Sequence, residues 1–288
     1  MDTHDDLCVA GSWETLEQLI RQEPLSAVVF NPAADGTMDV ARACKLIRRF
    51  GSIPFVAYVP LDAPFARGIA RMSNHGLRDV MVLRANDSPA TFREILTRVS
   101  TIQELAAVVD ALQPIFGLLP ATLGRVLIDA LRHPHMYASA EAIATAAGMT
   151  VSALYRAFRS ARLNSPKRFV VGAHVFRGYL YLKDIGFTIR DISAKLGYTH
   201  PRIFAHQTEC VLGETPSKIR HSLELETVVQ RLVAWISSCE RTNGVACLGG
   251  LPRTSECVGG SLLAVAFLLL TSLSSMCEAQ LPLLPQPS

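Results

Sequence analysis

The sequence predicts an α/β domain with a parallel sheet, followed by an all-α domain. Over the first hundred residues, apolar runs at 26–30, 55–59 and 80–83 have the composition of buried parallel strands and alternate with helical patterns. Strands that alternate with helices indicate βαβ units. From residue 101 to about residue 225 only helical periodicity is found. A chain of 288 residues also exceeds the usual size of one core, which favours two domains.

Helices fill the intervals between the predicted strands. Helical spacing of apolar residues predicts them at residues 13–21, 40–50, 65–73 and 89–99. In the segment 101–137, Pro114 and Pro120 are expected to interrupt the helical pattern, because proline breaks a helix interior. The domains that follow from these patterns are 1–100 (α/β), 101–137 (helical linker), 138–222 (all-α) and 223–288 (a hydrophobic, poorly ordered tail).

Charge is unevenly distributed along the chain. Apolar residues make up 49% of the sequence, which excludes disorder for most of it, and the net charge is only +3. Residues 139–222, however, hold 12 lysines and arginines against 5 acidic residues. Such a local excess is typical of nucleic-acid binding, although an ordinary solvated face can also produce it. The acidic start of the chain is unlike a signal peptide. The seven cysteines have no paired spacing, which favours a reducing, cytoplasmic location.

A tight turn between two short helices is predicted at Gly148. This glycine can adopt the left-handed conformation that ends the first helix, and Thr150 can cap the second. Leu154 and Phe158, four residues apart, define the buried face of the second helix. The pattern is that of a helix-turn-helix, in which the second helix enters the major groove of DNA, although helical hairpins in bundles can share it.

A second pattern of the same kind surrounds Gly197. Thr188 and Asp191 are spaced as a capping box, and Pro201 opens the helix after the turn. A long helix over about 166–183 is expected to hold the two units apart, so that they contact successive turns of one major groove.

The segment from about 138 to 220 resembles the DNA-binding domain of AraC-type transcription regulators, which are named after the arabinose operon regulator. The resemblance rests on an ordered set of residues: Ile143, Ala144, Gly148, Thr150, Leu154, Phe158, Pro166, Leu182, Ile189, Ile192, Leu196, Gly197, Tyr198, Phe204, Gly213, Thr215, Pro216 and Arg220. It implies double-stranded DNA as a partner, recognition helices at 151–159 and 201–209, and greater specificity from the first. The resemblance leaves open two further partners. One is RNA polymerase, and the other is a second copy of the same chain, bound through the N-terminal domain.

The candidate DNA contacts are the side chains that each second helix, with its cap, turns away from the apolar face. In the first unit these are Thr150, Ser152, Ala153, Tyr155, Arg156 and Arg159. In the second unit they are Thr199, His200, Arg202, His206 and Gln207.

Some positions depart from the AraC-type pattern. The family commonly has arginine at the places of His174 and His206, alanine at Gly178 and phenylalanine at Thr208. Glycines 172 and 178 are each expected to cost about 1 kcal/mol relative to alanine inside a helix. The two units are therefore expected to contribute unequally to binding.

The order of elements in residues 7–100 resembles a receiver domain of two-component signalling without its first strand. Aligned by strands, the phosphoacceptor position falls on Asn31, the hydroxyl position on Val59 and the lysine position on Leu83 or Arg84. A carboxamide cannot form an aspartyl phosphate, so the sequence predicts a domain that is not controlled by phosphorylation. A phosphorylation-dependent response regulator is the alternative.

No catalytic or cofactor motif is found, and the sequence predicts neither an enzyme nor a bound metal or cofactor. His133 and His135 have no carboxylate or cysteine at ligand spacing and are expected in a surface loop. From residue 258 to 276 the tail has no charge, but it is a marginal candidate for a membrane span. A membrane-tethered interaction module is therefore a second alternative, and membrane is not an expected partner.

Overall fold

The structure is a computed structural model that describes residues 7–33, 38–60, 63–85, 88–99, 103–237 and 265–268. The chain divides into two compact units. One contains the residues up to 99 together with 265–268, and the other contains residues 103–237. The predicted order, a parallel-sheet domain followed by a helical one, is confirmed.

The first unit is built on a five-stranded parallel sheet with the order β1-β5-β2-β3-β4. The strands are Leu7–Ala10 (β1), Ala27–Phe30 (β2), Phe55–Val59 (β3), Leu77–Val82 (β4) and Val265–Leu268 (β5). The helices that follow the first four strands are Trp13–Gln22 (α1), Val40–Arg49 (α2), Ala63–Ser73 (α3) and Pro89–Val99 (α4). All four residues of β2 are buried, as a continuous apolar run predicts.

Two of these strands were not predicted from the sequence. β1 and β5 have four residues each, which is too few to show a periodicity of apolar residues. β5 also lies more than 180 residues after β4 in the chain. Of the described strands, β1 pairs only with β5, and β5 also pairs with β2. The interpretation of residues 223–288 as a poorly ordered tail is therefore wrong for β5.

The second unit is entirely helical. Its helices are Gln103–Phe116 (α5), Ala121–Arg132 (α6), Ala140–Ala146 (α7), Val151–Ser160 (α8), Pro166–Lys183 (α9), Ile189–Lys195 (α10), Pro201–Leu212 (α11), Pro216–Ser222 (α12) and Leu225–Ser237 (α13), with a 3₁₀ turn at Pro134–Met136. The expected break at Pro114 is wrong, because α5 continues through it to Phe116. α5 packs on α13, so the predicted linker and the start of the predicted tail belong to this unit.

The helix α9 is the core of the second unit. Apart from Lys167, every residue from Pro166 to Leu182 is buried. α6, α10, α11, α12 and α13 all pack against it. The sequence predicts α9 as a spacer between two units, and the structure shows that the spacer is also the element around which the unit folds. Among the described residues, no helix combines the length and apolar character needed to cross a membrane.

Candidate nucleic-acid interface

The first predicted helix pair is α7 and α8, joined by the turn at Gly148. Gly148 has φ +65°, as its predicted role requires. The hydroxyl of Thr150 accepts a hydrogen bond of 3.2 Å from the backbone N–H of Ala153, which confirms the predicted cap. Phe158 is buried and contacts Phe169 of α9 edge to face, with the ring centres 6.1 Å apart. The turn, the cap and this contact fix α8 on the first half of α9.

The outward face of α8 presents two arginines to solvent. Ser152, Arg156 and Arg159 are exposed, and their spacing places them on one side of the helix. Ala153 and Tyr155 are half-buried. Within the part of the chain that the structure describes, the side chain of neither arginine makes a hydrogen bond or an ion pair. Both guanidinium groups therefore retain all their donors for another molecule.

The second predicted pair is α10 and α11, joined by the turn at Gly197. Gly197 has φ +73°. Thr188 and Asp191 form the predicted capping box, with hydrogen bonds of 2.9 and 3.1 Å. The cap of α11 is His200, whose Nδ1 accepts a hydrogen bond of 3.3 Å from the backbone N–H of Arg202. Since either Thr199 or His200 could cap this helix from sequence, the structure chooses between them.

α11 packs further along α9 than α8 does. Phe204 is fully buried and lies against Gly178. Gly178 is nine residues after Phe169, a distance of about 14 Å along the helix axis at 1.5 Å per residue. The two pairs are thus attached to successive parts of one buried helix.

Four of the five candidate contacts in the second pair are exposed, and one is not. Thr199, His200, Arg202 and His206 face solvent. The prediction that Gln207 points outward is wrong: its side chain is fully buried, and its Oε1 accepts a hydrogen bond of 2.7 Å from the Tyr198 hydroxyl. Gln207 lies three residues after Phe204, so it shares the inward face of α11. The spacing of Phe204 and Gln207 in the sequence is therefore enough to indicate the inward direction of Gln207.

Not all of the basic residues add to the surface charge. Arg168, Arg177 and Lys195 are buried and lie against aromatic rings. The guanidinium carbon of Arg168 is 4.3 Å from the ring centre of Trp235, and that of Arg177 is 4.8 Å from Tyr181. The positive surface of this unit is therefore smaller than the residue count suggests.

Buried polar groups lie beneath α11. His174 is fully buried, its Nδ1 is 2.9 Å from the Val170 carbonyl oxygen, and its Nε2 has no hydrogen-bond partner among the described residues. Burial lowers the pKa of His174 to about 4, because the charged imidazolium would lose its water. Burial also raises the pKa of Tyr198, whose ring centre is 6.1 Å from that of His174.

The hydroxyl of Thr208 is also buried and has no hydrogen-bond partner among the described residues. We expect Thr208→Val to raise the free energy of unfolding by about 1 kcal/mol, since valine has the same shape and removes an unpaired polar group. Urea denaturation measures the change. Thr145→Val, at an exposed position of α7, is the matched control and should alter stability by less than about 0.5 kcal/mol. A loss of stability in Thr208→Val would show that the hydroxyl has a partner.

Other predicted site features lie apart from these helices. His133 precedes the 3₁₀ turn and His135 lies within it, and both are half-buried rather than freely exposed. Burial lowers the pKa of His133 to about 4 and that of His135 to about 3. No group of His, Cys, Asp or Glu that could hold a metal ion is found in the described ranges. Cys210 of α11 is disulfide-bonded, contrary to the expectation of reduced cysteines.

At the carboxyl edge of the sheet, the three positions aligned with receiver function end adjacent strands. Asn31 follows β2, and its Oδ1 accepts a hydrogen bond of 2.9 Å from the backbone N–H of Ala33. Val59 ends β3, and Arg84 follows β4 with φ +61°. The side chains at these three positions include no carboxylate.

Comparisons with protein-family models, with curated proteins and with solved structures returned no match.

Proposed function

We propose that the helical unit is a sequence-specific DNA-binding domain of the AraC type and that the protein is a transcription regulator. One observation carries the proposal. Two helix pairs, each with a left-handed glycine turn and a capped second helix, are attached to successive parts of one buried helix. Their second helices, α8 and α11, both present exposed cationic side chains to solvent. This is the arrangement that two helix-turn-helix units need to enter adjacent segments of a major groove.

The two units are proposed to play unequal parts. α8 offers Arg156 and Arg159, both without partners among the described residues. On α11, Arg202 is exposed, Gln207 is buried, and the Nε2 of His206 lies 3.7 Å from the sulfur of Cys210. Arginine can pair with both acceptors of a guanine edge, whereas a neutral histidine offers one donor. Sequence discrimination is therefore assigned mainly to α8.

The N-terminal unit is proposed to be a receiver-like domain that does not use aspartyl phosphorylation. Asn31 in place of an acceptor carboxylate supports this, as does the side-chain hydrogen bond that Asn31 makes within its own loop. Contact with a second copy of the chain remains the proposed role of this unit.

Binding to DNA tests the proposal directly. The full chain is titrated onto a labelled duplex selected from a random-sequence pool, and fluorescence anisotropy is recorded over a series of salt concentrations. We expect selection to yield a preferred sequence, and the logarithm of the affinity to fall linearly with the logarithm of salt concentration, at a slope that gives the number of phosphate contacts. Binding without sequence preference at any salt concentration would contradict a sequence-specific regulator.

Arg156→Ala is expected to weaken binding to the selected duplex by about 1–3 kcal/mol, or roughly 5- to 150-fold. The physical reason is the loss of a bidentate donor on the exposed face of α8. Arg132→Ala removes an exposed arginine at the end of α6 and is the control for net charge. Equal affinities for the two variants would remove Arg156 from the interface.

A further inference from the structure

One internal strand of the sheet in the first unit comes from a part of the chain far from the other four strands. β5 lies between β1 and β2 and is parallel to both. Ala266 pairs with Cys8 on one side and with Val28 on the other. The helical unit, residues 103–237, is therefore inserted in sequence between the elements of one sheet.

Without β5, the sheet would contain a gap. Neighbouring strands lie about 4.8 Å apart, so β1 and β2 would be separated by about 9.6 Å, too far to bond to each other. Among the described strands β1 has no other partner, and both β1 and β2 would present unpaired N–H and C=O groups. The gap accepts a single extended segment that bonds on both sides.

The strand order explains why this gap exists. In doubly wound sheets of the order 2-1-3-4-5, the first strand lies between the second and the third. Here β1, β2, β3 and β4 take the places of the second to fifth strands, and β5 takes the place of the first.

We propose that the gap between β1 and β2 is a strand-acceptor site, and that residues 265–268 of the same chain occupy it as a separable donor strand. The first unit is then complete only when the end of the chain has docked, and the helical unit is tied to the sheet at both of its ends. The interaction is β-augmentation within one molecule, in which main-chain hydrogen bonds supply most of the affinity.

The covalent connection between α13 and β5 favours the same molecule as the donor. Residues 238–264 separate α13 from β5 and can span up to about 90 Å when extended, so the segment is long enough to reach a gap in either its own or a second molecule. A tethered strand has an effective concentration on the order of millimolar, which exceeds the concentration of a second copy in ordinary solutions.

Disulfide trapping tests the site and identifies the donor molecule. Ala266→Cys places a thiol in register with Cys8, which is not in a disulfide, and paired strands bring α-carbons within the range that a disulfide bridges. Phe267→Cys is the matched control, because side chains alternate along a strand and the new thiol would face the other side of the sheet. The full-length variants are treated with copper phenanthroline, and cross-linked peptides are identified by mass spectrometry.

We expect Ala266→Cys to yield a cross-link from position 8 to position 266 within single chains, in roughly tenfold excess over any cross-link of position 8 in Phe267→Cys. Equal yields from the two variants, or none from either, would overturn the proposed site. The same cross-link found in covalent dimers would overturn donation by the same molecule and assign the strand to a second copy.

A proline variant provides a second readout that does not depend on thiol geometry. Ala266→Pro removes a backbone donor in the middle of an internal strand. Amide hydrogen exchange of β1 and β2 should accelerate by roughly tenfold or more, while exchange in α9 stays unchanged. Unchanged exchange of β1 would overturn the proposal. Ser274→Pro, six residues after the last residue of β5 in the sequence, controls for proline in this part of the chain.

Discussion

Replacing His174 with phenylalanine is expected to make the helical unit markedly less sensitive to acid. His174 is fully buried in the folded chain, and burial lowers its pKa from 6.5 to about 4. The unfolded chain therefore takes up a proton at a higher pH than the folded chain does. The stabilising contribution of the neutral ring is complete above pH 6.5 and is lost as the pH falls to about 4. At one pKa unit per 1.36 kcal/mol, the loss is about 3 kcal/mol.

Urea denaturation followed by tryptophan fluorescence measures this effect. The chain has two tryptophans, one in each unit, so Trp13→Phe leaves Trp235 of α13 as a reporter for the helical unit. In that background, His174→Phe should reduce the decrease in unfolding free energy between pH 6.5 and about 4 by roughly 3 kcal/mol. His133 and His135, whose pKa values are also lowered by burial, contribute to the acid sensitivity that remains.

His221→Phe is the matched control for this prediction. Its side chain is exposed at the end of α12, so replacing it removes a histidine that keeps its contact with water. We expect this variant to retain the acid sensitivity of the parent. The same pH dependence in His174→Phe as in the parent would mean that the buried ring is protonated in the folded chain.

The features that the sequence predicts well are those that a few neighbouring residues determine. Thr150 as a cap, the Thr188–Asp191 capping box and the glycine turns at 148 and 197 are local arrangements, and each is found where predicted. The two pairs could therefore be placed on the sequence to within a few residues.

The features that the sequence does not predict depend on distant residues. β1 is a strand because β5 lies beside it, and no local pattern connects segments so far apart in the chain. The inward direction of Gln207 depends on its partner Tyr198, and the burial of Lys195 depends on the aromatic rings of Tyr181 and Phe187. In each case the decisive neighbour comes from another element.

Three departures from the AraC-type pattern are linked through one pair of aromatic residues. Tyr198 contacts His174 on one side and Phe204 on the other, with ring centres 6.1 and 5.6 Å apart. Gly178 lies against Phe204, and Thr208 is one helical turn after it. Considered one at a time in the sequence, each departure looks like the loss of a favourable residue at its own position. In the structure they belong to one packed region, where the cost of each depends on the others.

Gly178→Ala is expected to destabilise the helical unit, although alanine is the better helix former. A β-carbon at position 178 would lie 2.5 Å from Cε2 and 2.8 Å from Cζ of Phe204, and 3.2 Å from Cδ1 of Leu196. The ring cannot move away easily, because Phe204 is fully buried and packs against Tyr198. Overpacking costs about 1–3 kcal/mol and the gain in helix propensity is about 1 kcal/mol, so we expect a net loss of up to about 2 kcal/mol.

Gly124→Ala is the control that separates packing from helix propensity. Gly124 lies inside α6, where an added β-carbon would find its nearest neighbour, the Phe116 carbonyl oxygen, at an ordinary 3.8 Å. The same substitution there should raise the free energy of unfolding by about 0.5–1 kcal/mol. Combining Gly178→Ala with Phe204→Leu should recover part of the loss, because the smaller side chain leaves room for the methyl group. Stabilisation by Gly178→Ala alone would show that α11 can shift on α9, and that Gly178 is not required for their contact.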